Sequence, residues 1–135
     1  MDFLQGQCFE DNRGKLYCSN DLDLSLVKRM YVIENINTDI CRAWQAHKIE
    51  KRWFVATKGS FRIKLIKIDD FENPSKNLII ENFVLDSKSM DSMFVDSGFA
   101  TSIQALENDA KLVVFSDYHF GELSDYYKFD SQNWK

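Results

Sequence analysis

The sequence has few of the residues from which metal sites and disulfide frameworks are built. Its 135 residues include only three cysteines and two histidines. Cys8, Cys18 and Cys41 are too far apart to form a C-x-x-C pair, which excludes a zinc ribbon and a thioredoxin-like redox motif. The odd number of cysteines is typical of reduced thiols in a cytoplasmic protein.

Long apolar segments are also lacking. No window approaches the ~18 consecutive apolar residues of a membrane-spanning helix. Residues 1–10 have neither the basic start nor the apolar run of a signal peptide. Walker-type loops and the G-x-G-x-x-G pattern are absent as well, so neither a P-loop nor a dinucleotide cofactor is expected. These observations predict a cytoplasmic protein with no membrane association and no cofactor.

The sequence also has no excess of positive charge. The formal net charge is -4 and the isoelectric point is about 5.1. General nucleic-acid binding is not expected, because contacts of basic side chains with phosphates dominate that kind of affinity. Hydrophobic residues make up 44% of the chain and charged residues 28%, which is ordinary for a globular protein. We therefore expect residues 1–135 to form one domain with its own core.

Helical periodicity is scarce, whereas short runs of alternating or β-branched residues recur along the chain. This pattern is typical of an all-β antiparallel jelly roll or barrel. The C-terminal segment 122–134 contains four aromatic residues and is expected to pack against the barrel. Strands are predicted at residues 16–19, 26–33, 42–48, 52–58, 61–68, 78–85 and 93–95, with a turn at 96–101 and a hairpin formed by 102–106 and 111–118.

One segment concentrates chemically useful side chains. Residues 42–59 contain one of the two histidines, five cationic residues and two tryptophans. An imidazole that titrates near neutrality, positive charge of the kind that binds phosphate and flat apolar rings together predict an anionic ligand that carries a ring. The same residues could also form a strand that carries charged and aromatic side chains but binds no ligand.

Three motifs resemble those of a known enzyme family. Residues 27–33 (VKRMYVI) resemble the "IKRVYYI" strand of dTDP-4-keto-6-deoxyglucose 3,4-ketoisomerases, which are WxcM-like proteins of the cupin fold. Residues 42–48 (RAWQAHK) resemble their "RGFHAHK", and residues 116–118 (SDY) their "SDYY". The early Arg13-Gly14 turn and the chain length also match. The resemblance implies a cupin-type jelly roll and a dTDP-sugar substrate. It also implies a homodimer, often with exchanged N-terminal strands, and a role in deoxysugar and surface polysaccharide biosynthesis.

Two positions depart from this family and from the related dTDP-4-dehydrorhamnose 3,5-epimerases. Gln45 stands where both families have a histidine, which is the catalytic base of the epimerases. Thr101 stands where the epimerase motif "GFAHGF" has another. Because the ketoisomerases have a second histidine, which is retained here as His47, the pattern favours 3,4-ketoisomerisation. Two alternatives remain open, namely a 3,5-epimerase-like enzyme and a non-catalytic cupin that binds sugar nucleotides.

The same departures predict that no metal is bound. Metal-dependent cupins use an H-x-H pair, a glutamate a few residues later and a further histidine. In this chain the corresponding places hold Gln45 and His47, then Lys51 or Arg52, and finally Thr101. One ligand of four is retained, and a cation occupies the place of the glutamate, so a divalent metal lacks a ligand set.

Two residues are candidates for catalysis. His47 could remove the acidic proton at C3 of a 4-keto sugar, because a base with a pKa near neutrality suits this step. Tyr31 could donate a proton to the sugar, since Lys28 and Arg29 on the same strand would favour its ionisation. A histidine bonded within the barrel wall and a core tyrosine are the structural alternatives.

Five residues are candidates for substrate binding. Arg42 and Arg52 could bind the diphosphate through their planar guanidinium groups, with Lys48 as a third cation. Gln45 could hydrogen-bond a hydroxyl or keto oxygen, and Trp44 could stack on the thymine ring. The alternatives are a solvated charged strand face and a buried tryptophan.

Overall fold

A computed structural model describes residues 2–134. Within that range it contains strands connected by turns and loops, and no helix. Accordingly, no helix of the described residues could span a membrane. The strands are β1 (Asp2–Leu4), β2 (Gln7–Asp11), β3 (Gly14–Cys18), β4 (Arg29–Ile33), β5 (Cys41–His47), β6 (Arg52–Lys58), β7 (Ser60–Lys67), β8 (Glu81–Asp86), β9 (Ser92–Val95), β10 (Phe99–Ala105), β11 (Lys111–Ser116) and β12 (Tyr126–Lys128).

Within residues 2–134, the strands form two five-stranded sheets and one separate hairpin. The first sheet has the order β1-β9-β6-β11-β4 and the second the order β12-β5-β10-β7-β8, while β2 pairs only with β3. All neighbouring strands are antiparallel. Two facing antiparallel sheets with repeated crossings between them form a jelly roll. The predicted all-β antiparallel jelly-roll architecture is confirmed.

The main core lies between the two sheets. Strand β7 alternates as a half-buried strand should, with Phe61, Ile63 and Leu65 fully buried and Arg62 and Lys64 partly exposed. The partners of this stripe across the sandwich come from the first sheet. They include Phe54, Ala56, Met93, Val95, Leu112 and Val114. The inward face of the sandwich is therefore mostly apolar.

A second cluster lies on the outer face of the second sheet. Trp44 of β5 packs there against Trp134, with ring centroids 5.7 Å apart. The indole of Trp44 donates to the carbonyl of Trp134, and the indole of Trp134 donates to the carbonyl of Ser75. The C-terminal segment thus covers this face, and β12 adds a strand beside β5. The expectation that the tail packs against the barrel is confirmed.

The predicted hairpin of residues 102–106 and 111–118 is wrong. Strand β10 pairs with β5 and β7 in the second sheet, whereas β11 pairs with β6 and β4 in the first. The connection between β10 and β11 therefore crosses from one sheet to the other. Alternation of apolar and polar residues identifies strands, but it does not specify which strand pairs with which.

Several strand boundaries also differ from the predictions. Strand β4 begins only at Arg29, because Val27 donates to the carbonyl of Leu24 in a turn. Strand β8 begins at Glu81 rather than at residue 78, and β10 already begins at Phe99, inside the predicted turn. Gly98, which precedes β10, has a φ of 90°, so the turn itself is confined to the residues before Phe99.

We predict that Trp134→Ala lowers the free energy of unfolding by about 3 kcal/mol, because a large buried side chain is removed from the outer cluster. Chemical denaturation monitored by circular dichroism measures this change. The control is Ile79→Ala, which removes a side chain that is 82% exposed and should change stability by less than about 0.5 kcal/mol. Equal stability losses in the two variants would contradict the role assigned to the tail.

Candidate functional site

Polar side chains collect at one end of the otherwise apolar interior. On the first sheet, Ser116 of β11 pairs with Arg29 of β4 on one side and with Arg52 of β6 on the other. On the second sheet, His47 ends β5. A cavity of 220 Å³ opens at this end, and its lining comprises Arg29, His47, Glu50, His119, Phe120, Gly121, Leu123, Asp125 and Tyr126.

The imidazole of His47 has a defined orientation. Its Nδ1 lies 3.1 Å from the backbone carbonyl oxygen of Asp125. A carbonyl can only accept, so the neutral imidazole carries its proton on Nδ1 and its lone pair on Nε2. Nε2 lies 3.8 Å from Oε2 of Glu50. The nitrogen that can take a proton is thus directed toward the other polar groups of the cavity.

The carboxylate of Asp125 fixes the corner that follows β5. It accepts hydrogen bonds from the backbone amides of Lys48, Ile49 and Glu50, at donor–acceptor distances of 2.9, 2.8 and 2.8 Å. Asp125 is buried. Hydrogen bonds to a charged acceptor are stronger than those between neutral groups, so one side chain holds three successive amides. Asp125 therefore fixes both the path of the chain at this corner and the orientation of the His47 imidazole.

Among the described residues, three charged side chains near His47 have buried atoms without hydrogen-bond partners. These atoms are Nε of Arg29, Nε of Arg52 and Oε2 of Glu50. Arg52 is only 3% exposed. Such atoms are costly unless another group satisfies them, and they recur at functional sites. Two donors and one acceptor are thus free to meet a polar ligand.

Burial and neighbouring charge change the acidities in the site. Burial, assisted by the positive charge of Arg52 and opposed by Asp125, lowers the pKa of His47 to about 4. Burial also raises the pKa of Glu50, against the opposing effect of Arg29 and Arg52. Lowered pKa values for bases and raised ones for acids are typical of active sites.

The structure brings together several of the residues predicted from sequence. Burial lowers the pKa of Arg52, and the interaction of its guanidinium with the phenol of Tyr31 opposes this shift, so Tyr31 and Arg52 lie close together. The guanidinium of Arg29 lies 5.0 Å from the centre of the Tyr31 ring. Gln45 is two residues from His47 on the same strand, and therefore shares its face.

Three other predicted residues lie elsewhere. Arg42 is exposed and donates to Oδ1 of Asn35, about 16 Å along β5 from His47 at the usual rise per residue. The side chain of Lys48 is directed toward the outer cluster, with Nζ 6.0 Å from the ring of Phe71. Trp44 is buried beneath Trp134, which corrects the expectation of an accessible stacking surface, because the C-terminal tail covers its ring.

Sequence reasoning missed Glu50, Asp125 and, as a site residue in its own right, Arg29. Glu50 lies in a polar corner, where a solvated carboxylate is the ordinary expectation. Asp125 is 78 residues from the imidazole that it supports, and no local pattern indicates such a contact. The sequence did indicate Arg29, because this residue lies in the VKRMYVI motif two residues before Tyr31. No three His, Cys, Asp or Glu side chains among residues 3–134 are placed to hold a metal ion.

Comparison with known families gives a match over almost the entire chain. A family model described as "FdtA: WxcM-like, C-terminal" matches residues 2–135. No curated protein matches the sequence.

Solved structures with a similar fold include a 3,4-ketoisomerase from Helicobacter canadensis. It is 22% identical, with a TM-score of 0.70 over 93% of this chain and 87% of the other. A mutant of the 3,4-ketoisomerase QdtA from Thermoanaerobacterium thermosaccharolyticum, in complex with TDP-4-keto-6-deoxyglucose, is 21% identical. Its TM-score is 0.71 over 93% and 84% of the two chains. ChmJ, a 3'-monoepimerase from Streptomyces bikiniensis in complex with dTDP-quinovose, is 13% identical, with a TM-score of 0.77 over 96% and 69%. At these identities the likeness concerns the fold.

We predict that the imidazole of His47 titrates with a pKa of about 4, so that it stays neutral between pH 5 and pH 8. Its burial disfavours the protonated form, and the charge of Arg52 does so further. Proton NMR of the imidazole signals against pH measures this, with His47→Asn and His119→Asn variants to assign the two histidines. A His47 midpoint near the ordinary value of about 6.5 would contradict the described environment.

We predict that Asp125→Ala lowers the free energy of unfolding by about 3 kcal/mol, because three amides of the corner lose a charged acceptor at once. Thermal or chemical denaturation measures the loss. The control is Asp130→Ala, whose carboxylate accepts from a single exposed amide, that of Gln132. Equal effects of the two substitutions would show that the corner is held in another way.

Proposed function

The chain belongs to the FdtA family of WxcM-like C-terminal domains, and on this premise we propose that it is a sugar-nucleotide isomerase. Its substrate is a dTDP-linked 4-keto-6-deoxy hexose, which it converts into the 3-keto isomer. The observation that carries this proposal is the imidazole of His47, which is fixed through Nδ1 and directs Nε2 toward Glu50, close to the buried Arg52 and the partly buried Arg29. The residues 1–135 act as one cupin-type domain.

The proposed reaction begins at the carbon next to the ketone. The C3 proton is acidic because the electrons that it leaves behind can delocalise onto the C4 oxygen. Nε2 of His47 accepts this proton, which gives an enediol(ate), and the proton is then returned at C4. A neutral imidazole is required for the first step, and the lowered pKa of His47 keeps it in that form at neutral pH.

Negative charge that develops on the sugar oxygens needs stabilisation. Arg52 and Arg29 are fixed, largely buried cations with unpartnered Nε atoms, and groups of this kind stabilise a developing oxyanion most strongly in a water-poor site. The reaction moves only protons, and these cations can supply the electrostatic support for which other enzymes use a metal. We therefore propose that catalysis is metal-independent.

The remaining sequence-predicted residues have supporting roles in this proposal. Tyr31 is a proton donor or hydrogen-bond donor to the sugar, and Gln45 orients a hydroxyl or keto oxygen from the inner face of β5. Lys48 is exposed at the corner after His47 and remains a proposed contact for the diphosphate. Arg42 remains a proposed contact as well, but only for a part of the nucleotide that is remote from the sugar.

We also propose that the enzyme is a cytoplasmic homodimer that serves deoxysugar and polysaccharide biosynthesis, as the family resemblance implies. Apolar side chains on the outside support a partner surface. Met30 and Val32 of the edge strand β4 are 61% and 52% exposed, and Phe9 and Leu16 of the β2–β3 hairpin are exposed as well. A separate two-stranded hairpin is marginal in water, so packing against a second copy would stabilise it.

Proton NMR of dTDP-4-keto-6-deoxyglucose in D2O with the purified protein tests the proposal. We predict loss of the C3 proton signal and the appearance of a 3-keto product, because the proton taken by His47 exchanges with solvent. The variant His47→Asn should lower the rate of C3 proton exchange and the rate of product formation by at least about 100-fold each, which is the usual contribution of a general base.

Other outcomes select the alternatives. Exchange at both C3 and C5 would indicate a 3,5-epimerase-like enzyme. Binding shifts of the nucleotide signals without any exchange would indicate a non-catalytic sugar-nucleotide-binding protein, and would contradict the proposed isomerase.

A further inference from the structure

Glu50 is a buried carboxyl group whose position the family motifs do not explain. Its backbone amide donates to Asp125, which fixes the residue at the corner after β5. Glu50 is 7% exposed and lines the cavity, and its Oε2 atom has no hydrogen-bond partner in the part of the chain that the structure describes. Oε2 lies 3.8 Å from Nε2 of His47 and 3.8 Å from Nη2 of Arg29. An unsatisfied buried oxygen beside the proposed base is available to a ligand.

The environment of this carboxyl group suits proton exchange. Burial raises the pKa of Glu50, whereas the positive charges of Arg29 and Arg52 act in the opposite direction. The two cations keep the carboxylate form accessible, and burial makes the protonated form more accessible than in water. A group that can exist in both forms can donate a proton in one step and accept one in the next.

The proposed reaction requires a second proton transfer that His47 does not supply. The proton on C3 must move to C4, and the hydroxyl proton on O3 must move to O4. A single base can perform the first transfer. Without the second transfer, the enolate formed on O4 can only take its proton back at C3, which regenerates the substrate.

We propose that Glu50 carries out this second transfer, passing the hydroxyl proton from O3 to O4 while His47 moves the carbon proton from C3 to C4. This inference rests on the proposed function. In the first step protonated Glu50 donates to O4 as Nε2 of His47 takes the proton from C3. In the second step the Glu50 carboxylate accepts the O3 proton as the imidazolium returns its proton to C4. Both groups end as they began, and no other reagent is consumed.

The distance between His47 and Glu50 is consistent with one group that moves the carbon proton and another that moves the hydroxyl proton. The C–H bond and the O–H bond at C3 belong to the same carbon, so their two acceptors must lie close together. Nε2 of His47 and Oε2 of Glu50 are 3.8 Å apart at the same cavity. Tyr31 can still donate a hydrogen bond to the sugar, but it has only one oxygen, whereas a carboxyl group can bridge two neighbouring oxygens.

The test is Glu50→Gln, measured by proton NMR of dTDP-4-keto-6-deoxyglucose in D2O. The amide keeps the shape of the side chain and can donate a hydrogen bond to O4, but it cannot relay a proton. We expect exchange at C3 to continue within about tenfold of the wild-type rate, whereas formation of the 3-keto product falls by at least about 100-fold. The substitution thus separates enolisation from isomerisation.

The matched control is Glu122→Gln. Glu122 lies on the segment next to the cavity, and its carboxylate accepts from the exposed backbone amide of His119. This variant should keep the wild-type ratio of product formation to C3 exchange. A second variant, Glu50→Asp, retains a carboxyl group and should recover at least part of the product formation lost in Glu50→Gln.

Three results would overturn the assignment. Glu50→Gln could form product at the wild-type rate, it could lose exchange and product formation in equal proportion, or Glu50→Asp could show the same ratio as Glu50→Gln. In each of these cases the wild-type protein still isomerises the sugar, so the proposed function stands. Absence of both exchange and product in the wild-type protein would overturn the proposed function and this inference together.

Discussion

The attachment of Asp125 to the corner after β5 is the interaction on which the site depends. Its carboxylate accepts three consecutive backbone amides, and its carbonyl accepts from Nδ1 of His47. The corner is the connection from the second sheet to the first, and it also carries Glu50. One residue of the C-terminal segment thus determines the path of the chain, the tautomer of the imidazole and the location of a buried carboxyl group.

This arrangement couples the stability of the tail to the chemistry of the cavity. The segment that carries Asp125 continues through β12 into Trp134, which packs on Trp44 on the outer face of the second sheet. Trp44 and His47 lie on the same strand, so β5 is held on its outer face by an apolar contact and at its end by hydrogen bonds. The tryptophan that the sequence suggested as a stacking surface for a base instead anchors the segment that orients the imidazole.

Much of the fold could be predicted from the sequence, because alternation of side chains along a strand is a local property. The β6 boundaries and the buried stripe of β7 follow directly from it. The pairing of β10 and β11 with strands of different sheets could not be predicted in this way, since pairing depends on contacts between distant segments. The site likewise contains residues that could be predicted from the sequence and residues that could not. His47, Tyr31 and Gln45 lie in recognisable motifs, whereas Glu50 and Asp125 acquire their environments only when the tail meets the corner.

The most direct test of the central claim is a crystal structure of the His47→Asn variant in complex with dTDP-4-keto-6-deoxyglucose. The proposed function predicts that the sugar occupies the cavity between the two sheets, with C3 facing residue 47 and the C3 and C4 oxygens within hydrogen-bond distance of Glu50 and the arginines. A sugar bound outside this cavity, or one whose C3 faces away from residue 47, would contradict the assignment of His47 as the base.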